Sequence, residues 1–395
     1  MIYIDRKISE IVLSSSRVFP IVTLTGPRQS GKSTLAKKLF PEHEYVSLEN
    51  PDQLARAQDD PKSFLRHGQK QMILDEVQVY PILLSYLQGM VDSRKEPGQF
   101  ILTGSAQFQL LEGITQSLAG RTALFSLLPL SLEELVNYGF TFDPIDWQAV
   151  ILKGFYPRVY EQNQDLLIYY RSYLQTFVER DVRQLAQIKS FTDFQRFLRL
   201  IAGRVGQLTN FSSLAGELGL SQPTIKSWVQ ILEASYIVFR LEPFHENLGK
   251  RIVKSSKLYF YDTGLLSYLL GIENVTQLDR DPLRGSIFEN FVIADLIKYR
   301  WNRGKDHHLY FFRDNHGLEV DILFQQGHRL KPIEVKLSAS YNSDFGKKLR
   351  TFSELIGERK MQPEIIYTGQ DEETINGIQL TPWTSQGLNT FESDS

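Results

Sequence analysis

Cysteine is absent from the 395 residues of this chain. That removes disulfides, thiol catalysis and cysteine zinc sites together, and it suits a reducing cytosol. A charge of one sign is missing too. With 44 basic against 46 acidic residues the formal charge is −2, so a nucleic-acid partner would have to be met by a local patch. No apolar run reaches membrane-spanning length, and Met1-Ile-Tyr-Ile-Asp-Arg-Lys7 lacks the apolar centre of a signal peptide; a cytoplasmic protein with no membrane partner is expected. Internal repeats and low-complexity tracts are also lacking, and only the Glu392-Ser-Asp-Ser395 tail reads as a fraying end. What remains is an ordinary globular composition, 42% hydrophobic and 23% charged. The length exceeds what one hydrophobic core usually supports, which predicts roughly two to three domains.

The strongest feature is Ile21-Val-Thr-Leu-Thr-Gly-Pro-Arg-Gln-Ser-Gly-Lys-Ser-Thr-Leu35, an apolar strand running into a glycine loop and then a helix. Gly26, Gly31, Lys32 and Ser33 fill every fixed position of the phosphate-loop pattern G-x-x-x-x-G-K-[ST]. A loop that wraps phosphates must turn successive backbone N–H groups inward, and the two glycines permit the backbone geometry this needs. The segment Gly26, Pro27, Arg28, Gln29, Ser30, Gly31, Lys32, Ser33 and Thr34 is therefore expected to hold ATP. In it Lys32 supplies a point charge at the β/γ-phosphates and the Ser33 hydroxyl a ligand for Mg²⁺. The following helix adds its positive end.

A short strand from Tyr45 and a polar helical connection, 51–67, lead to Gln71-Met-Ile-Leu-Asp-Glu76, an apolar strand ending in adjacent carboxylates. At the C-terminal end of a parallel strand Asp75 can hold Mg²⁺ and Glu76 can polarise the attacking water. Gln99-Phe-Ile-Leu-Thr-Gly-Ser105 ends in small polar residues, so Thr103 or Ser105 can reach the γ-phosphate. Arg121 precedes a further strand and has two readings of equal weight: it stabilises transition-state charge in a neighbouring subunit, or it pairs with a carboxylate locally. Strands interleaved with helices give a doubly wound α/β sheet with ligand at the strand C-termini.

On the loop Gly26 to Ser33, Leu74-Asp-Glu-Val-Gln78, Leu102-Thr-Gly-Ser105, Leu118-Ala-Gly-Arg121 and Pro129-Leu-Ser-Leu-Glu-Glu-Leu135, the chain resembles AAA+/STAND-like ATPases of bacteria and archaea. In these an AAA domain is fused to a C-terminal domain of unknown function. The resemblance covers nearly the whole chain. It implies ATP hydrolysis, a γ-phosphate-sensing role for Ser105, and a homo-oligomer, a ring among its forms, with Arg121 acting in trans. Lys153-Gly-Phe-Tyr-Pro-Arg158 resembles the family's G-G-aromatic-Pro segment, which implies that Pro157 lies near the nucleotide base; Phe155 stands where a second glycine is usual. Beyond it, Leu166 to Leu185 reads as a lid helix whose Arg180 and Arg183 either reach phosphate or form a solvated face.

From Phe211 the pattern is helix, Gly219 turn, a second helix opened by a Ser221 cap with Pro223 in its first turn, and two alternating strands from Ile237 and Lys257. That order is a winged helix. Read as a DNA-binding module, it offers Gln222, Thr224, Lys226 and Ser227 to the major groove, with Lys250, Arg251 and Lys254 of the basic wing on phosphates. The same module also serves in protein docking, and only Lys226 on the candidate recognition helix is basic.

The last third places Glu289 near the start of a helix, Asp321 in an apolar strand, and Glu334 and Lys336 on one face of the next. This arrangement resembles the PD-(D/E)xK nuclease superfamily. The resemblance implies a divalent metal at Glu289, Asp321 and Glu334, with Lys336 positioning or deprotonating water for attack on a phosphodiester; members that bind without cutting also belong to it. The expected fold class is α/β: a P-loop AAA+-like domain (1–140), a helical lid (141–200), a winged helix (201–275) and a restriction-endonuclease-like α/β domain (276–395). The expected function is ATP-driven control of DNA engagement, with cofactors ATP and Mg²⁺. The alternative is a STAND-like oligomerising signalling switch whose C-terminal half binds protein.

Overall fold

The computed structural model describes residues 3–67, 71–94, 96–105, 117–161, 164–177, 190–245, 253–385, 387 and 390–391. Its first layer is a five-stranded parallel sheet: β1 Ile21–Thr25, β2 Glu44–Ser47, β3 Met72–Asp75, β4 Phe100–Thr103 and β5 Thr122–Ser126, in the order β2-β3-β4-β1-β5. β1, β3 and β4 are buried along their whole length, as expected for parallel strands covered on both faces. The order has a consequence for the site. β1 lies beside β4, so the loop after β1 and the acids at the end of β3 are separated only by the end of β4.

Beyond the sheet, Pro129 to Tyr138 turns into helix Leu132–Tyr138, closed by a capping box between Ser131 and Glu134. The helices Trp147–Lys153, Arg158–Glu161, Leu166–Phe177 and Phe191–Ala202 follow, in the stretch expected to form a lid. Helix Phe211–Leu218, capped by Asn210, ends at Gly219 in the left-handed region and is followed by helix Gln222–Ala234, capped by Ser221. β6 Val238–Leu241 and β7 Lys257–Phe260 then pair antiparallel.

The C-terminal sheet comprises β8 Leu309–Arg313, β9 Glu319–Gln326, β10 Arg329–Lys336, β11 Glu364–Tyr367, β12 Glu373–Ile375 and β13 Ile378–Pro382, ordered β12-β13-β11-β10-β9-β8. β8, β9 and β10 form an antiparallel meander, while β11 joins β10 in parallel through the crossover helix Lys347–Ile356. The eighteen-residue helix Arg284–Trp301 packs against this sheet. One cluster of buried apolar side chains takes in Ile4 and runs from Leu128 to Trp383, through the stretches expected to be lid, winged helix and nuclease-like domain. Among the described residues no helix is long and apolar enough to cross a membrane.

Candidate functional site

The glycine loop is built for close approach. Gly26 has φ 140°, and a Cβ there would lie 2.2 Å from the Leu127 carbonyl oxygen, so any larger residue would push the loop off the end of β5. Gly31, at φ 94°, turns the chain into helix Lys32–Leu39. Between them Gln29 also takes a positive φ of 61°. Pro27, Ser30 and Lys32 are buried, Arg28 and Ser33 half-buried, Gln29 and Thr34 exposed. Lys32 Nζ donates to the carbonyls of Gly26 (2.9 Å) and Pro27 (2.8 Å).

Ser33 and Asp75, 42 residues apart, meet: the hydroxyl donates to both carboxylate oxygens at 2.8 and 3.0 Å. Asp75 also accepts from Thr103 and from Tyr45 (2.6 Å). Burial and the bond to Asp75 push the Tyr45 phenol well above its usual range, so it stays a donor. Glu76 sits one residue beyond β3 with φ 55°, a left-handed backbone that turns its side chain back over the sheet edge, where Ser105 (3.0 Å) and Gln78 donate to it. The two small polar residues at and just past the end of β4 thus divide: Thr103 holds Asp75 and Ser105 holds Glu76.

Sequence reading overlooks Arg6. Buried ahead of the first strand, it donates from Nε to Glu134 (3.0 Å), from one terminal nitrogen to the Ser30 carbonyl (2.7 Å) and from the other to the Leu128 carbonyl (2.7 Å). It clamps the phosphate loop to the segment that leaves the sheet. A second unforeseen contact comes from Tyr236, between helix Gln222–Ala234 and β6. Its hydroxyl lies 2.7 Å from Thr25 Oγ1 and 2.8 Å from Ser126 Oγ, at the residue before Gly26. Neither has a motif; each is legible only once distant segments are in place.

Arg121 lies at the start of β5, the end of the sheet away from the glycine loop, and pairs with both carboxylate oxygens of Asp92 at 2.6 and 2.8 Å. Within this chain it makes the local pair. Pro157 precedes helix Arg158–Glu161, and Arg158 lines a cavity of about 440 Å³ with Gln29 of the glycine loop and Tyr169 and Tyr173 of helix Leu166–Phe177. Phe155, in the place of the second glycine, stacks on Phe291 at 5.6 Å and lies beneath the Lys298 ammonium, so it fills the interface with helix Arg284–Trp301. Arg180 and Arg183 lie outside the described residues.

On helix Gln222–Ala234, Gln222, Lys226 and Ser227 are exposed and Thr224 half-buried. Gln222 donates to Ser212, Thr224 Oγ1 lies 2.8 Å from Ser221 Oγ, and the Lys226 ammonium stands 5.8 Å from the Phe211 ring centre. Lys254 is exposed; Lys250 and Arg251 lie outside the described residues.

In the C-terminal sheet Ile322 of β9 faces Ile333 of β10, which brings Asp321 beside Glu334. Asp321 accepts from the Val335 N–H (3.0 Å), and Lys336 pairs with Glu334 and lies 3.8 Å from Asp321. Glu289 is drawn instead to Tyr259 and to Lys257, both on β7. Burial, reinforced by the charge of Asp321, pushes Glu334 up to about 8; burial, against the pull of Lys257, pushes Glu289 up to about 7. Among the described residues no group of three or more acidic or histidine side chains converges on a metal-sized space. Asp321, Glu334 and Lys336 therefore come together, whereas Glu289, expected as a third ligand, is engaged by Lys257.

Residues 18–136 match the family described as "AAA domain", residues 145–276 "Domain of unknown function (DUF8612)" and residues 284–385 "Domain of unknown function (DUF4143)". Over 380 residues the chain is 31% identical to the uncharacterized proteins Rv2008c of Mycobacterium tuberculosis and Mb2031c of Mycobacterium bovis, covering 95% of this chain and 82% of each of theirs. Among solved structures, the Walker-type ATPase PABY2304 of Pyrococcus abyssi is 16% identical over 68% of this chain and 96% of its own, with a TM-score of 0.45. The STAND protein PH0952 of Pyrococcus horikoshii, which has a tetratricopeptide repeat sensor, is 12% identical over 77% of this chain and 48% of its own, with a TM-score of 0.25.

Proposed function

The chain belongs to the family of these two mycobacterial proteins and carries an AAA-type ATPase domain, and from that premise we propose that it hydrolyses ATP with Mg²⁺ and uses the nucleotide state to govern how its C-terminal half engages DNA. The observation that carries the first half is the pair formed by Ser33 and Asp75 beneath a loop that only glycine at position 26 can close. The residues fit the cofactor. A hydroxyl and a carboxylate already face each other, and Lys32 is held on loop carbonyls from which it can turn to phosphate.

Ser33 and Asp75 would hold Mg²⁺, which would supply charge neutralisation for the phosphates. The chain's own work is then positional. Backbone N–H groups of Arg28 to Ser33 would donate to phosphate oxygens, with the first turn of helix Lys32–Leu39 behind them. Glu76, held through Oε2 by Ser105 and Gln78, takes a proton from the attacking water at Oε1. Ser105 stands where a change at the γ-phosphate is felt through Glu76.

The DNA half of the proposal is supported by the order helix, turn, helix, antiparallel pair and by the exposed Gln222, Lys226, Ser227 and Lys254. Asp321, Glu334 and Lys336 together support a phosphodiester-directed reading of the last domain. One observation favours the second reading, a switch with a protein-binding C-terminal half. Of the four candidate groove residues only Lys226 is a cation, and Gln222 and Thr224 are already bonded within the module.

Glu76→Gln should bind ATP as wild type does and lose turnover; unchanged hydrolysis would remove Glu76 as the base, and no nucleotide binding by wild type in calorimetry would remove the ATPase reading. Plasmid gel shifts with and without ATP decide between the DNA and protein-binding readings, with no shift at low salt favouring the switch.

A further inference from the structure

Lys336 and Lys257 both lie among Asp321, Glu334, Glu289 and Glu319, and of the two Lys336 belongs to the strand motif. The other, Lys257, comes from β7, outside the stretch that carries the acids. It is 3% exposed, and its ammonium lies 2.8 Å from Glu319 and 3.5 Å from Glu289. Tyr259, two residues along and so on the same face of β7, donates its hydroxyl to Glu289. The Asn290 side chain accepts from the Phe260 N–H (2.6 Å) and donates to the Phe260 carbonyl (2.9 Å), fastening β7 to the helix that bears Glu289. A cation this deeply buried persists only with ionic partners, and it has two.

Across the cluster the situation is reversed. Glu334 is fully buried, its Oε2 meets Lys336, and its Oε1 has no hydrogen-bond partner among the described residues. That orphaned oxygen beside Asp321 fits a hard divalent cation, which takes carboxylate oxygens as ligands. The third acid is partly committed elsewhere, because Lys257 and Tyr259 both engage Glu289 through Oε1.

We propose that Lys257 is an internal counter-cation that withholds Glu289 from a divalent metal ion at Asp321 and Glu334, so that β7 and the metal compete for one carboxylate. This rests on the reading of Asp321 and Glu334 as metal ligands and is independent of the ATPase. An ammonium and a divalent ion sharing a carboxylate within a few ångströms repel each other.

The test is Mn²⁺ titration of the full chain by calorimetry, without nucleotide, counting only the binding that Asp321→Asn abolishes. K257M should bind Mn²⁺ about tenfold more tightly than wild type, a modest share of the repulsion between two neighbouring charges. Where K257M does not fold, K257M/E319Q replaces the buried pair by neutral groups without changing net charge, and it should still bind Mn²⁺ more tightly than wild type, by less than K257M because the attraction of Glu319 is lost with the repulsion of Lys257. Equal or weaker binding in the folded variant overturns the inference alone. Absence of any Asp321-dependent binding, in wild type and variant alike, overturns the metal reading with it.

Discussion

Asp75 and Arg6 illustrate two ways in which a single residue can matter to a phosphate site. Asp75 is legible in the sequence because an acid ending an apolar strand after a glycine loop is a pattern in itself, and the structure sets it against Ser33, Thr103 and Tyr45. Arg6 is illegible, since nothing local marks an arginine 24 residues ahead of Ser30 as its partner. Its guanidinium serves three acceptors at once, which an ammonium on a flexible stem cannot reproduce. Arg6→Lys should therefore leave the chain folded, with Glu134 still facing a positive charge, yet weaken binding of a non-hydrolysable ATP analogue by about tenfold, the scale of one lost charge-assisted hydrogen bond. Calorimetry checks this, and undiminished affinity would mean that Ser30 holds its place without the clamp.

At the scale of elements, helix Arg284–Trp301 departs furthest from its sequence reading. Phe288, Val292 and Leu296 mark an apolar face, but the helix is buried almost all round, and its polar residues are what the pattern hides. Asp295 accepts from the Leu132 N–H (2.7 Å), Lys298 donates to the Leu130 carbonyl (3.2 Å), and Arg303, just past its end, pairs with Glu133 at 2.8 and 2.9 Å. These groups meet the start of helix Leu132–Tyr138 and the turn before it, 163 to 170 residues earlier in the chain, a separation no periodicity encodes. Burial lowers Lys298 to about 8, against the pull of Asp295 and Asp262. In the unfolded chain its value is near 10.4, so between these limits the unfolded state binds the extra proton and stability rises with pH. The stability of wild type minus that of Lys298→Met should accordingly climb between pH 8 and 10 by up to about 1.4 kcal/mol per unit. Denaturant melts at three pH values would show it; a flat difference would mean that the buried ammonium keeps an ordinary affinity for its proton.

For the whole molecule, the question is whether the AAA domain moves separately from the rest. The glycine loop is clamped by Arg6 to Leu128 and Glu134, the segment Leu130 to Glu133 is held by helix Arg284–Trp301, and Tyr236 touches Thr25 directly. These ties are short and mostly buried, and they join the nucleotide site to the element that carries Glu289. The parallel sheet and its loop are visible in the sequence because they are contiguous, whereas these ties link residues more than a hundred positions apart. The four tryptophans, Trp147, Trp228, Trp301 and Trp383, all lie beyond residue 136, where the AAA match ends. Their fluorescence therefore reports only on the C-terminal two-thirds. A ligand that binds the native state alone stabilises it by about 2.7 kcal/mol at a hundredfold excess over its dissociation constant. If the ties make one cooperative unit, a non-hydrolysable ATP analogue should raise the tryptophan-detected melting midpoint, and Asp295→Asn together with Arg303→Ala should abolish that rise while leaving nucleotide affinity nearly intact. A midpoint indifferent to nucleotide in wild type would mean that the AAA domain unfolds on its own, and that occupancy of the glycine loop is not transmitted to the carboxylates around Lys257.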